Sequence, residues 1–206
     1  MRNAEWKMIA LIDYNAGNLT SVRKALAAIG ADVFVPQRPE ELASVRGVII
    51  PGVGHFGATR ALHGEWMEAI IGVLGDGRPL LGICLGLQFL FEGSDEAPDC
   101  PGLGLLSGRC YRLPPRDGVK IPHVGWNALA IQRPSTIIES VADGSQVYFT
   151  HSYVAPVTSD TVAVCDHGEA FAAAVEHGQV SGVQFHPEKS GEVGLQILRN
   201  FAALAG

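Results

Sequence analysis

Cys84 stands between two glycines at the close of an apolar run, in Gly82-Ile83-Cys84-Leu85-Gly86. This is the G-x-nucleophile-x-G form of a strand-to-helix elbow. Its sharp turn lifts the central side chain out of the sheet, and the glycines avoid clashes with neighbouring backbone. A helix beginning at Cys84 would aim free N–H groups and its positive end at the sulfur, favouring a thiolate. Read alone, the pentapeptide equally fits a buried filler, since free cysteine is among the most buried residue types.

A nucleophile needs a base, and GVQFHPEKS (182–190) offers one. Val183 and Phe185 belong to an apolar strand with His186 at its end. Pro187 biases His186 toward an extended backbone, so Glu188, two residues on, falls on the same face. A carboxylate there can accept from one ring nitrogen and leave the other to the thiol. Alone, the segment also reads as a turn with a surface histidine and a surface glutamate. Cys84 and His186 both follow apolar strands at their C-terminal ends, the edge at which open α/β sheets bind ligands.

GVGHFG (52–57) has the G-x-G-x-x-G spacing of a dinucleotide-binding turn. It follows the third strand rather than the first, and the next strand ends in Cys84, not in an acidic residue for a ribose. The glycines instead suggest a close backbone approach with N–H groups free to point at something. The seven histidines show no H-x-x-x-H spacing and the cysteines no C-x-x-C, so no metal site or cofactor is expected.

These groups must be held by a scaffold. MIALID (8–13), ADVFVP (31–36), GVII (47–50) and PLLGI (79–83) read as buried strands. Between them lie helical patterns over 18–30, with Asn18 as a possible N-cap, over 39–45, and over 58–74. This alternation predicts a largely parallel sheet with helices on both faces, an α/β fold. Short alternating segments near 103–113, 119–131, 146–151, 161–166, 170–176 and 179–185 add strands, some antiparallel, and 191–204 closes as a helix. Residues 1–7 read as a short polar extension and 8–206 as a single domain.

With 206 residues, 47% of them apolar and 17% charged, the chain can bury a sizeable core. A net charge of −6 argues against nucleic-acid binding. Four cysteines without a framework spacing suggest a reducing cytoplasm, and the longest apolar stretch is too short to span a membrane.

GICLG followed about a hundred residues later by HPEKS resembles the class I (triad) glutamine amidotransferases. DYNAGNL (13–19), PGVGHFG (51–57), GICLGLQFLFE (82–92), PHVGWN (122–127) and VYFTHSY (147–153) narrow the resemblance to the glutaminase subunits of imidazole glycerol phosphate synthase, from about Met8 to the C-terminus. Leu87 and Val124 stand where methionine is common in that group.

The resemblance implies Cys84 as nucleophile, His186 as general base and acid, and Glu188 as the residue that orients it. It implies an oxyanion site from the N–H groups of Gly52, Val53 and Leu85. Gln88 and Glu96 would recognise glutamine, and the backbone of His151, Ser152 and Tyr153 its carboxylate. Asn15, Trp126 and Lys189 would lie at or near the interface with a (β/α)₈-barrel cyclase that uses the ammonia; Trp126 also reads as a half-buried strand residue. YNAGN and PHVGWN speak against the glutaminase of a pyridoxal phosphate or anthranilate synthase. A complete Cys84, His186 and Glu188 set speaks against a catalytically silent subunit. Because glycines flank Val53, a peptide near Gly52 and Val53 is expected to rotate when the partner switches hydrolysis on.

Overall fold

The computed structural model describes residues 8–17 and 19–206. The expected extension over 1–7 and the Asn18 N-cap lie outside them. The first half runs β1 (Ile9–Leu11), α1 (Leu19–Ala28), β2 (Val33–Phe34), β3 (Gly47–Ile50), α2 (Glu65–Gly75), β4 (Leu80–Ile83) and α3 (Leu85–Leu90). The second half supplies β5 (Gly93–Ser94), β6 (Arg109–Arg112), β7 (His123–Ala128), β8 (Ala130–Ile131), β9 (Gln146–His151), β10 (Tyr153–Val154), β11 (Thr161–Asp166), β12 (Ala170–His177), β13 (Val180–Val183) and α4 (Gly191–Leu204).

Eight strands form the main sheet in the order β2-β1-β3-β4-β13-β12-β11-β8. Pairing from β2 to β13 is parallel, and from β13 to β8 antiparallel. This is the mixed, largely parallel α/β sheet that the sequence predicts. Successive strand residues divide between two apolar layers, as a period of two requires. Leu11, Ile49 and Ile83 pack with Leu26, Ile197 and Phe201 on one face. Ala10, Ile50 and Leu80 pack with Ile70, Leu87 and Phe89 on the other. Two smaller sheets, β10-β6-β5 and β7-β9, lie outside the main one.

The central pairing for chemistry is β4 with β13. These strands are a hundred residues apart in the chain, yet Ile83 lies beside Val183. Both strands end at one edge, and there the Cys84 N–H donates to the Val183 carbonyl at 2.8 Å.

Three local expectations differ. The helix expected over 58–74 is two pieces, a 3₁₀ turn at Phe56–Leu62 and α2. Gly64, at φ 68°, breaks them apart. Residues 39–44 form a 3₁₀ rather than an α-helix. Of 103–113 only Arg109–Arg112 pairs as a strand. Among the described residues no helix is long and apolar enough to cross a membrane.

Candidate active site

The elbow is built by crowding. Cys84 sits at φ 54° and ψ −105°, a backbone conformation costly for any residue with a Cβ. A Cβ on Gly82 would lie 2.5 Å from the Gly86 carbonyl oxygen, and one on Gly86 would lie 1.8 Å from the Ile50 carbonyl oxygen. Only glycine fits either place, so the turn that raises Cys84 is written into both flanking residues. α3 begins at the next residue, Leu85.

His186 lies across from the elbow and is almost fully buried. Its N–H donates to the Tyr148 carbonyl at 2.9 Å, and its own carbonyl accepts from Ser190 Oγ at 2.6 Å. Its Nδ1 lies 2.9 Å from Glu188 Oε1, with both side chains buried. Nε2 is buried with no hydrogen-bond partner among the described residues, and Cys84 is near enough to act on the charge of the ring. Burial opposes charging of this ring, but the interactions with Cys84 and Glu188 outweigh it and raise its pKa well above the usual histidine range. The route to the His186–Glu188 contact differs from the extended segment expected. His186 is extended, but Pro187–Lys189 forms a 3₁₀ turn that folds Glu188 back onto the ring.

A cleft of about 290 Å³ opens at the elbow, lined by Cys84, Leu85, Gln88, Glu96, His151, Ser152 and Tyr153. Every residue expected to recognise glutamine therefore borders the same space as the thiol. Gln88 Nε2 donates to the Tyr153 carbonyl at 2.9 Å and to Gln184 Oε1 at 3.2 Å, leaving its own Oε1 as an acceptor. Glu96 accepts from the Phe56 N–H at 2.7 Å, so it also anchors the glycine-rich loop.

The oxyanion arrangement expected at this loop is not the one found. The Val53 N–H donates to the Ala16 carbonyl, and the Leu85 N–H donates to the Gly52 carbonyl, each at 3.3 Å. The Gly52–Val53 peptide thus turns its oxygen, not its N–H, toward the elbow. Both donors are satisfied inside the protein because a buried backbone group without a partner is costly.

Behind the cleft, Asn127 Oδ1 accepts from the Ala128 N–H at 2.8 Å, which fixes the amide. Its Nδ2 then donates to the Asp166 carbonyl at 2.9 Å and to His123 Nε2 at 3.3 Å. His123 must carry its proton on Nδ1, from which it donates to His151 Nε2 at 3.1 Å. His151 in turn carries its proton on Nδ1. Burial, helped by His167, lowers the His123 pKa to about 4. Burial, helped by His123, lowers that of His151 to about 3. The pair is neutral at physiological pH.

Asn15 is exposed at the tip of a turn, at φ 60°. Trp126, expected as half-buried or as an interface residue, is 57% exposed on β7. It meets Tyr148 edge-on at 6.1 Å, and Lys189 Nζ lies 5.6 Å from the same Tyr148 ring.

Two residues of the site escaped the sequence reading. Gln184 is fully buried and donates from Nε2 to Cys84 Sγ at 3.6 Å. The signal was a polar residue between Val183 and Phe185 in an otherwise apolar strand. Ser190 accepts from the Tyr148 N–H at 2.9 Å while donating to His186, pinning the turn from two sides. No local pattern marks it.

A mixed α/β sheet with an elbow cysteine facing a buried histidine–carboxylate pair defines an acyl-transfer scaffold, and residues 10–204 match the family model for glutamine amidotransferase class-I. The chain belongs to that family. Among curated relatives it is 46% identical over 198 residues to imidazole glycerol phosphate synthase subunit HisH of Methanothermobacter thermautotrophicus, covering 96% of this chain and 98% of that one. It is 47% identical over 197 residues to the subunit of the same name from Bacillus cereus strain B4264, covering 94% and 93%. The fold is shared with a solved glutamine amidotransferase at TM-score 0.74 and 19% identity, covering 96% and 98% of the two chains. It is also shared with PurLQS from Thermotoga maritima at TM-score 0.73 and 18% identity, covering 94% and 96%.

Proposed function

We propose that this chain is the glutamine-hydrolysing subunit of an imidazole glycerol phosphate synthase, acting in the cytoplasm with a (β/α)₈-barrel cyclase. The observation that carries the reading is Cys84 on its strained elbow, opposite the His186–Glu188 pair, in a cleft with room for a free amino acid. The near full-length identity to subunits of that synthase supports the choice of partner.

In this mechanism the Cys84 thiolate attacks the side-chain amide carbon of L-glutamine. Backbone N–H groups stabilise the oxyanion of the tetrahedral intermediate. His186, protonated and oriented by Glu188, gives its proton to the departing nitrogen, and ammonia leaves a glutamyl thioester. His186 then takes a proton from water, which attacks the thioester and releases glutamate. The ammonia passes to the cyclase, whose products are imidazole glycerol phosphate and the aminoimidazole carboxamide ribotide. Asn15, Trp126 and Lys189 contribute to the partner face.

The Leu85 N–H cannot serve the oxyanion while Gly52 holds it, so the chain alone rests in a weakly active arrangement. One missing oxyanion donor costs about 10²–10³ in rate. The test is glutamate release by the chain alone, with the cyclase, and with the cyclase plus its nucleotide ligand. A rise of this order in the last mixture is expected; equal rates in all three would overturn the coupling.

A further inference from the structure

The Tyr14 hydroxyl is buried and makes no hydrogen bond to any described residue. Burial, with a smaller contribution from nearby Cys84, pushes its pKa far up, so the group is a neutral O–H donor at any working pH. Such an unpaired buried hydroxyl is costly, because it has given up water without gaining a partner. Its position is specific. A Cβ built on Gly52 would fall 2.0 Å from the Tyr14 oxygen, so the hydroxyl rests directly on the Gly52 Cα. The neighbouring Ala16 carbonyl, on the same turn, holds the Val53 N–H. One short segment therefore touches both sides of the peptide whose carbonyl now blocks the Leu85 N–H.

Any turnover that uses the Leu85 N–H must release the Gly52 carbonyl. Gly52 is buried, so the released oxygen needs a new donor or carries the cost of an unpaired acceptor. We propose that Tyr14 is a positioning residue whose hydroxyl receives the Gly52 carbonyl when the Gly52–Val53 peptide rotates, stabilising the arrangement competent for hydrolysis. The unpaired donor of the resting structure and the unpaired acceptor of the rotated one then satisfy each other. This inference rests on the proposed glutaminase chemistry and assigns one residue to the balance between its two arrangements.

The experiment is Tyr14→Phe, measured for glutamate release with and without the cyclase and its ligand, and for thermal unfolding of the chain alone. Losing the hydrogen bond should lower kcat of the chain alone about fivefold to twentyfold with KM for glutamine unchanged. The fully stimulated complex, already driven toward the rotated arrangement, should lose less. The unfolding temperature should stay level or rise, because the variant discards an unpaired buried hydroxyl. A purely structural tyrosine would show the reverse, with lower stability and activity following it. Unchanged kcat, or a lost kcat accompanied by a clear fall in unfolding temperature, would overturn the role of Tyr14. Wild-type protein that is not stimulated by the cyclase would overturn the coupling instead, while the kcat comparison in the chain alone still decides on Tyr14.

Discussion

The Leu85 N–H, first donor of the helix behind the nucleophile, gives its hydrogen bond to the Gly52 carbonyl at 3.3 Å. A helix start ordinarily leaves such groups free for an anion. Here the glycine-rich loop occupies that position with a carbonyl of its own, while its Val53 N–H is turned back to Ala16. On the proposed reading, the attacking group, its base and the cleft are in place, and the resting loop withholds the stabilisation of the charge that develops. That is a small place for control, since rotating one peptide changes an acceptor at the elbow into a donor without moving the sheet.

The elbow yields a stability test with an unusual sign. Alanine normally exceeds glycine in stability, but at φ 54° and ψ −105° a Cβ carries about 1–3 kcal/mol of strain. Cys84→Gly should therefore be at least as stable as Cys84→Ala in urea unfolding. Both should abolish glutamine hydrolysis, yet each complex should still cyclise when given ammonium salt at alkaline pH. Loss of the ammonium-driven reaction would show that Cys84 also serves the cyclase.

His186 and Glu188 separate by chemistry and by pH. His186→Ala removes the proton carrier and should cost more in kcat than Glu188→Gln, which removes only orientation. The folded pKa of His186 is raised above its unfolded value of about 6.5. Its contribution to stability is then complete below about pH 6.5 and is lost as pH rises through the folded value. Removing the Glu188 charge should open a stability gap from wild type that is widest near pH 6 and narrows under alkaline conditions. A gap that widens with pH would contradict the assigned charge on His186.

Much of this was legible in the sequence because it follows from local rules. The strand–helix alternation, the elbow glycines and the H-P-E segment each declare themselves within a few residues. What was not legible depends on long-range packing. Pro187–Lys189 folds as a 3₁₀ turn because Ser190 bridges the His186 carbonyl and the Tyr148 N–H, and Tyr148 is 42 residues from Ser190. The helix expected over 58–74 breaks at Gly64, where a positive φ was hidden by the apolar periodicity on either side. The direction of the Gly52–Val53 peptide could not be read either, because glycine permits both and the choice belongs to Ala16 and Leu85.

The paired histidines behind the cleft set a limit at acid pH. Folded His123 and His151 have pKa values lowered to about 4 and about 3. Between those values and about 6.5 the unfolded chain binds protons that the folded protein refuses, so stability falls as pH drops. Each histidine contributes a slope of up to about 1.4 kcal/mol per pH unit in that window. His123→Gln should flatten the loss between pH 6 and 4.5 in urea titrations, whatever its effect at pH 7. An unchanged slope would mean that His123 takes up its proton in the folded state.

The contact between Tyr14 and Gly52 can be tested by compensation. A Cβ at Gly52 would meet the Tyr14 hydroxyl oxygen at 2.0 Å, the Leu85 Cβ at 2.9 Å and the Tyr14 Cζ at 3.2 Å. The first approach is impossible, and the other two are tight enough to need a small shift. Gly52→Ala alone should destabilise the chain by about 1–3 kcal/mol, the range for overpacking a filled site. Tyr14→Phe deletes the oxygen responsible for the worst clash while keeping the ring. The double variant should therefore be more stable than Gly52→Ala, although its single changes remove nothing from each other's hydrogen bonding in the resting structure. Residues in contact typically show interaction energies of about 0.5–3 kcal/mol in such cycles, and the sign here should be favourable. Additive effects would place the hydroxyl away from the Gly52 Cα and remove the geometric basis for its assigned role. Recovery of stability without recovery of glutamate release is the expected pattern, because the double variant regains packing but still lacks the hydroxyl and the free rotation of glycine.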